Sequence, residues 1–222
     1  MTTEFDATPA APGENAAMTE RSGRRLEILS AILLGLAATA TAWSAYWSAI
    51  YGGDAIKGYA ESNSLTSQAA DVYGDATGQY NYDRSLFLQY AEMLLTDRTD
   101  VADAFRGDFF SENLSATVDW YDTTGDEITD PFDTEAGSPY GLDEWGVGND
   151  LTERADRAYQ NAVATDDKGD RFDLSTVFLA LALFFGGIAT VFQRRLPQVG
   201  TLVVGAVSFT IGVGAVVWAH LA

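Results

Sequence analysis

The chain has no cysteine and a single histidine, His220. Disulfides, thiolate metal sites and cysteine nucleophiles are therefore excluded. One imidazole with no partner imidazole or thiolate makes a poor start for a zinc site. Nothing near it in the sequence supplies the carboxylate that would orient it in a Ser–His–Asp arrangement. Basic residues are also scarce, with 13 Lys+Arg against 32 Asp+Glu and a formal net charge of −19. A nucleic-acid-binding surface does not fit that balance. A Gly-rich phosphate loop is missing as well. At 47% apolar and 12% aromatic the chain can nevertheless bury a core, which excludes wholesale disorder.

Three stretches lack Asp, Glu, Lys and Arg altogether: residues 28–50, 174–192 and 199–219. A hydrocarbon layer of ~30 Å needs about 20 helical residues, and all three qualify. The second and third keep no polar stripe of the kind a soluble core helix shows. The sequence therefore predicts an all-α integral membrane protein with transmembrane helices at 26–51, 174–193 and 199–220. The first reads as an uncleaved signal anchor, since it follows 25 polar residues and exceeds the apolar length of a removable signal. Residues 1–25 read as a disordered tail, because 1–22 are small, polar and contain Pro and Gly.

Arg21, Arg24 and Arg25 precede the first stretch, and Arg194 and Arg195 sit in the short connection 194–198 between the second and third. Positive charge flanking a span marks the cytoplasmic side, and both clusters give one solution. The N-terminus and the 194–198 turn are then cytoplasmic, and residues 52–173 and the C-terminus are external.

Residues 51–173 hold 27 acids and 8 bases and read mostly as helix. A stripe of alternating four- and three-residue spacing runs Ala38, Ala42, Ala45, Ala49, Gly52, Ile56, Tyr59, Asn63, Thr66, Ala70, Tyr73. It predicts one long helix that leaves the membrane without resetting, with Gly52-Gly53 as a kink point. Leu151, Ala155, Ala158, Ala162, Thr165, Gly169 and Phe172 repeat the spacing and run into the second span, with Asp150 and Glu153 as its capping start. The simplest assembly is an antiparallel helix pair. Residues 80–95 would add an apolar helix packed on that pair. Val101, Phe105 and Phe109 mark another short helix, and Leu114, Val118 and Tyr121 one more. Residues 122–148, rich in Gly, Pro, Asp and Thr, read as a solvated excursion.

The candidate chemistry is thin. Asp122, Asp126, Asp130 and Asp133 lack the alternating ligands, central Gly and terminal Glu of a calcium hand. No catalytic, cofactor or metal residue is expected. Asn113-Leu114-Ser115 is an acceptor sequence for N-glycosylation at Asn113. Gly205, Ser208 and Gly212 form a small-residue stripe for close helix contact, within the chain or between chains. Trp43, Tyr46, Trp47, Ile50 and Tyr51 read as an interfacial aromatic belt. No ionisable group lies deep in a span, which speaks against an ion pathway.

Lysine is confined to Lys57 and Lys168, and arginine supplies the other cations. This balance resembles that of proteins from extreme halophiles. At molar salt the Debye length falls to ~3 Å, so such charge serves hydration more than steering. The stretches at 42–65 (AWSAYWSAIYGGDAIKGYAESNSL) and 184–195 (FFGGIATVFQRR) resemble an uncharacterised family of small bacterial and archaeal membrane proteins with one N-terminal span, a helical middle and a closing pair of spans. The resemblance implies architecture and transfers no site residue. The resulting expectation is a non-enzymatic envelope scaffold or accessory subunit. It would contact membrane lipid and either a protein partner or further copies of itself. The alternatives are a subunit of an oligomeric transporter or channel, or an external sensor.

Overall fold

The computed structural model describes residues 12–124, 130–192 and 194–221, with side chains from Arg24 onward. Those residues form five helices and no strand: α1 (Pro12–Leu95), α2 (Thr99–Phe109), α3 (Glu112–Thr124), α4 (Asp143–Val191) and α5 (Arg195–Leu221). Three of them, α1, α4 and α5, are long and apolar enough to cross a membrane. The chain divides into two compact units: unit 1 is Met1–Lys57 with Asn161–Ala222, and unit 2 is Gly58–Gln160.

Two expectations about helix ends are corrected. α1 begins at Pro12, inside the segment read as a disordered tail. Proline suits the first helical position, where its missing N–H has no partner to lose, and Glu14, Ala16, Ala17 and Met18 are good helix formers behind it. α4 begins at Asp143 rather than Asp150, with Asp143 and Glu144 in its first turn, where they oppose the helix dipole. Residues 80–95 are not a separate helix but the end of α1. The chain turns there through Asp97 at φ 57°. Arg98 N–H bonds the Met93 carbonyl at 3.0 Å and Asp97 N–H that of Leu94 at 3.2 Å, a Schellman cap with aspartate in the left-handed position usually held by glycine.

In unit 1 most heavy side chains face outward and most of the buried ones are small, Leu179 and Phe172 being the large buried exceptions. Ser30, Ala37, Ser44, Ala55, Leu179, Ala182, Ala189, Gly205 and Gly212 are buried, whereas Ile28, Leu36, Trp43, Val177, Phe184, Val203 and Val207 are exposed. The contacts align the three helices in layers. A Cβ on Gly186 would meet Leu34, and one on Gly205 would lie 3.3 Å from Gly186 N and from Leu33 Cδ2. Further along, a Cβ on Gly212 would lie 2.8 Å from Leu179 Cγ. The last layer joins Trp47, Phe172 and His220 through ring contacts of 5.8 and 4.9 Å. α4 therefore runs antiparallel to both α1 and α5. Between the last two layers, Ser44 Oγ donates to the Phe172 carbonyl at 2.8 Å and meets Ser175 Oγ, which donates to the same carbonyl at 2.7 Å.

The seam on α1 has the expected spacing but lies one residue earlier. Ala37, Ser44, Ala55, Ser62, Leu65 and Ala69 are buried, while Ala38, Ala45, Ile56, Asn63, Thr66 and Ala70 are exposed. On α4 the predicted register is the observed one: Leu151, Ala155, Ala162, Gly169 and Phe172 are all buried.

In unit 2, α1 and α4 pair antiparallel through Leu65, Ala69, Leu151 and Ala155. A Cβ on Gly148 would reach 2.7 Å from the Tyr73 ring. Beyond the pair, a core of Leu86, Tyr90, Ala102, Leu114, Val118, Phe132 and Tyr140 gathers α1, α2, α3 and the loop before α4. The loop expected to be a solvated excursion thus supplies two of the buried rings, Phe132 and Tyr140. It is narrower than 122–148, because α3 extends to Thr124 and α4 starts at Asp143.

The layer geometry generates a stability prediction. Gly212→Ala must displace Leu179, whose backbone nitrogen is only 3.2 Å from the new Cβ, whereas Gly214 has open space around it. Thermal unfolding of the full chain in detergent is expected to show a loss of about 1–3 kcal/mol for Gly212→Ala, with Gly214→Ala near wild type.

Candidate functional site

Unit 2 contains one buried carboxylate among its described residues, Asp83, at 1% exposure. It lies on α1 in step with Ser62, Ala69, Ala76 and Tyr90, each a multiple of seven residues away and each buried. A carboxylate in such a seam must be satisfied from within. Gln79 Nε2 donates to Oδ1 at 2.8 Å, one helical turn back. Tyr140 Oη donates to Oδ2 at 3.0 Å, and Ser111 Oγ reaches the same oxygen at 3.4 Å. All three donors are neutral. Ser111 also caps α3, accepting the Leu114 N–H at 3.0 Å. One carboxylate therefore ties the loop and the start of α3 to α1.

The loop is shaped to deliver Tyr140. Asp130 Oδ1 accepts the Phe132 N–H at 3.0 Å, and Asp133 Oδ1 accepts those of Glu135 and Ala136 at 2.9 and 3.2 Å. These are Asx turns, in which a short acidic side chain closes the backbone on itself. Gly137 takes φ +93°, which a side chain would oppose. Phe132 and Tyr140 then stack edge-on at 4.9 Å, with Tyr80 at 5.5 Å from Phe132. Arg84 donates to Tyr80 Oη at 3.0 Å and reaches Asp130 at 3.7 Å. Of the four acids weighed as calcium ligands, Asp130 and Asp133 each commit Oδ1 to the loop backbone, Asp122 is exposed on α3, and Asp126 lies outside the described residues. No group of three or more metal-ligating side chains occurs among the described residues.

Beside this centre is an open groove of about 420 Å³ lined by Glu112, Asn113, Ala116, Gly141, Leu142, Asp143 and Glu144. Asn113 bridges its wall: Nδ2 donates to the Gly141 carbonyl at 2.8 Å and Oδ1 accepts the Gly141 N–H at 3.4 Å. The acceptor nitrogen of the glycosylation sequence is thus already engaged in the fold. α2 is fastened to α3 by Arg106, whose Nη2 meets Asp119 Oδ1 at 2.7 Å and the Ser115 carbonyl at 3.3 Å. The bond to Asp119 holds the guanidinium above its ordinary pKa.

In unit 1 the stripe Gly205, Ser208 and Gly212 is buried, and both glycines face α4 of the same chain. Trp43, Trp47 and Tyr51 form a ladder of rings at 6.1 and 5.7 Å, joined from the side by Tyr46 at 5.8 Å, while Ile50 is exposed. His220 closes on Trp47 and Phe172. No family model, curated protein or solved structure matches the chain.

The Asp83 centre is chemically a brace. Its carboxylate is enclosed, and its hydroxyl neighbours are committed to it. The spacing conceals it, because the stripe Ala38–Tyr73 lies one residue later than the buried seam and leaves Asp83 off it. An acid at a seam position was the available signal.

Burial first, and the Asp83 carboxylate second, push the Tyr140 hydroxyl pKa well above its ordinary 10.0. The folded state thus keeps a proton that the unfolded state surrenders above pH 10, and stability from Tyr140 is complete below that pH and lost as pH climbs. Tyr140→Phe is expected to lower stability by about 1–2 kcal/mol at neutral pH. Its deficit relative to wild type should shrink above pH 10 in parallel melts. Asp83→Ala, which orphans three donors, should cost about 3 kcal/mol.

Proposed function

We propose that the chain is a multi-pass membrane protein that works without catalysis, as an envelope scaffold or accessory subunit docking a partner through unit 2. Membrane residence is supported by the inverted order of unit 1. Its interior is mostly Ala, Ser and Gly around Leu179 and Phe172, while its surface carries many large apolar side chains. Such a surface suits hydrocarbon as solvent and is untenable in water. The antiparallel layers also bring Arg24 and Arg25 to the same end as Arg194 and Arg195, as the positive-inside rule requires of a single orientation. That end is then cytoplasmic, and residues 52–173 are external. The resemblance to small three-span membrane proteins agrees with this architecture.

The observation that carries the docking role is an apolar corner on an acidic unit. Leu88, Leu94, Leu95 and Val101 remain exposed around the turn from α1 into α2, Leu95 by 86%, and Phe109 is exposed at the other end of α2. Exposed apolar side chains concentrated in one segment of an otherwise charged surface mark a contact site.

Two experiments test this reading. The native chain has no cysteine, so Ser67→Cys and Leu196→Cys can be labelled without background. A membrane-impermeant maleimide added to intact cells is expected to modify Ser67→Cys and spare Leu196→Cys; the reverse pattern would invert the topology. A photo-cross-linking residue at Leu95 or Phe109 in native membranes should recover one defined foreign protein, whereas the same residue at Asp71 should not. Self-adducts alone would replace the accessory role with a homo-oligomer.

A further inference from the structure

The layer of unit 1 that holds Trp47, Phe172 and His220 also carries a cation that the neighbouring acids do not claim. Arg171 has Asp167, Asp170 and Asp173 within about one turn of α4. Elsewhere on α4 arginines close on such neighbours: Arg154 meets Asp150 at 3.8 Å and Arg157 meets Glu153 at 3.2 Å. Asp173 accepts instead from Ser48 Oγ at 2.6 Å. Arg171 lies against the Trp218 indole, its guanidinium carbon 4.5 Å from the ring centroid. Its Nη1 is closed off from solvent and has no hydrogen-bond partner among the described residues. In the same layer, Trp47 Nε1 is a second buried donor without an acceptor.

A guanidinium stays charged and presents a planar fork of donors that matches the oxygens of a phosphate. An unmet guanidinium donor is costly, and the Arg171 side chain as a whole is only partly buried, so an acceptor at the protein surface can approach it. The position fits one. Arg171 stands three residues before the charge-free stretch 174–192, and Trp218 closes the stretch 199–219. In a bilayer that depth is where indoles gather beside headgroups.

We propose that Arg171, braced by Trp218, is a recognition site for a phosphate oxyanion presented by a phospholipid headgroup. The lipid source rests on the membrane reading given above. The full chain in detergent, at fixed ionic strength, is titrated separately with dioleoylphosphatidylglycerol, with dioleoylglycerol and with inorganic phosphate, following tryptophan emission and melting temperature. A saturable response is expected with the phospholipid and none with dioleoylglycerol, which has the same chains and no phosphate. Arg171→Gln should weaken the response about tenfold or more, and Arg157→Gln should leave it intact. A response to inorganic phosphate that is equally lost in Arg171→Gln retains the oxyanion site and assigns it to a soluble anion. Equal responses from wild type and Arg171→Gln, or an equal response to dioleoylglycerol, overturn the proposal. Should Arg171→Gln fail to fold, Arg171→Lys keeps the charge, loses the fork and is expected to bind more weakly. Recovery of the chain in detergent-free buffer would defeat the membrane reading, while the inorganic phosphate arm would still decide whether the oxyanion site exists.

Discussion

Two helix backbones can approach closely only where the side chains between them are small, and the closest helix contacts in unit 1 are made at glycines. Gly186 faces Leu34, Gly205 faces Gly186, and Gly212 receives Leu179. In water, burying large apolar side chains would be the main source of cohesion. Unit 1 turns most of its large side chains outward, Leu179 and Phe172 excepted. Close van der Waals contact and hydrogen bonds across the seam are therefore prominent in its packing. Ser44 and Ser175 show the second of these. Both hydroxyls converge on the Phe172 carbonyl, so a polar pair small enough for the seam fixes α1 and α4 against sliding.

The same constraint explains what the sequence discloses. The helices, their approximate number and the three apolar stretches are legible because length and charge exclusion are strong signals. The α4 seam is legible too, since Leu151 and Phe172 mark its buried side among polar neighbours. The α1 seam is ambiguous. Around 37–49 nearly every residue is small, so adjacent stripes differ little in apparent hydrophobicity. Ser44, Ser48 and Ser62 argue against the true face unless their partners are known, and those of Ser44 and Ser48 lie more than a hundred residues away on α4. Long-range partners of this kind leave no local trace.

That one-residue ambiguity propagates to the centre of unit 2. With the register drawn at Ala70 and Tyr73, Asp83 falls away from the seam and becomes one acid among many. With the register at Ala69 and Ala76, it falls on the buried face and demands donors. The loop is hard to read for a related reason. Its Asp, Gly and Pro content is that of solvated chain, yet Asp130 and Asp133 are consumed in closing turns that aim Phe132 and Tyr140 inward. Composition reports that a segment bends; it does not report where the bend sends its two aromatic rings.

The acidity of unit 2 and its cohesion have separate origins. Its ion pairs are mostly exposed, including Arg154 with Asp150 and Arg157 with Glu153, and pairs of that kind contribute about 0–1 kcal/mol each and less as salt rises. They cannot offset the mutual repulsion of so many carboxylates. What holds α1, α2, α3 and the loop together is the ring cluster around Tyr80, Phe132 and Tyr140 and the enclosed Asp83 that anchors it. The surface acids are therefore free to vary with the solvent or partner they face, whereas Asp83 is fixed by the interior. A single acid placed on the seam carries more structural consequence than all of those arranged around it.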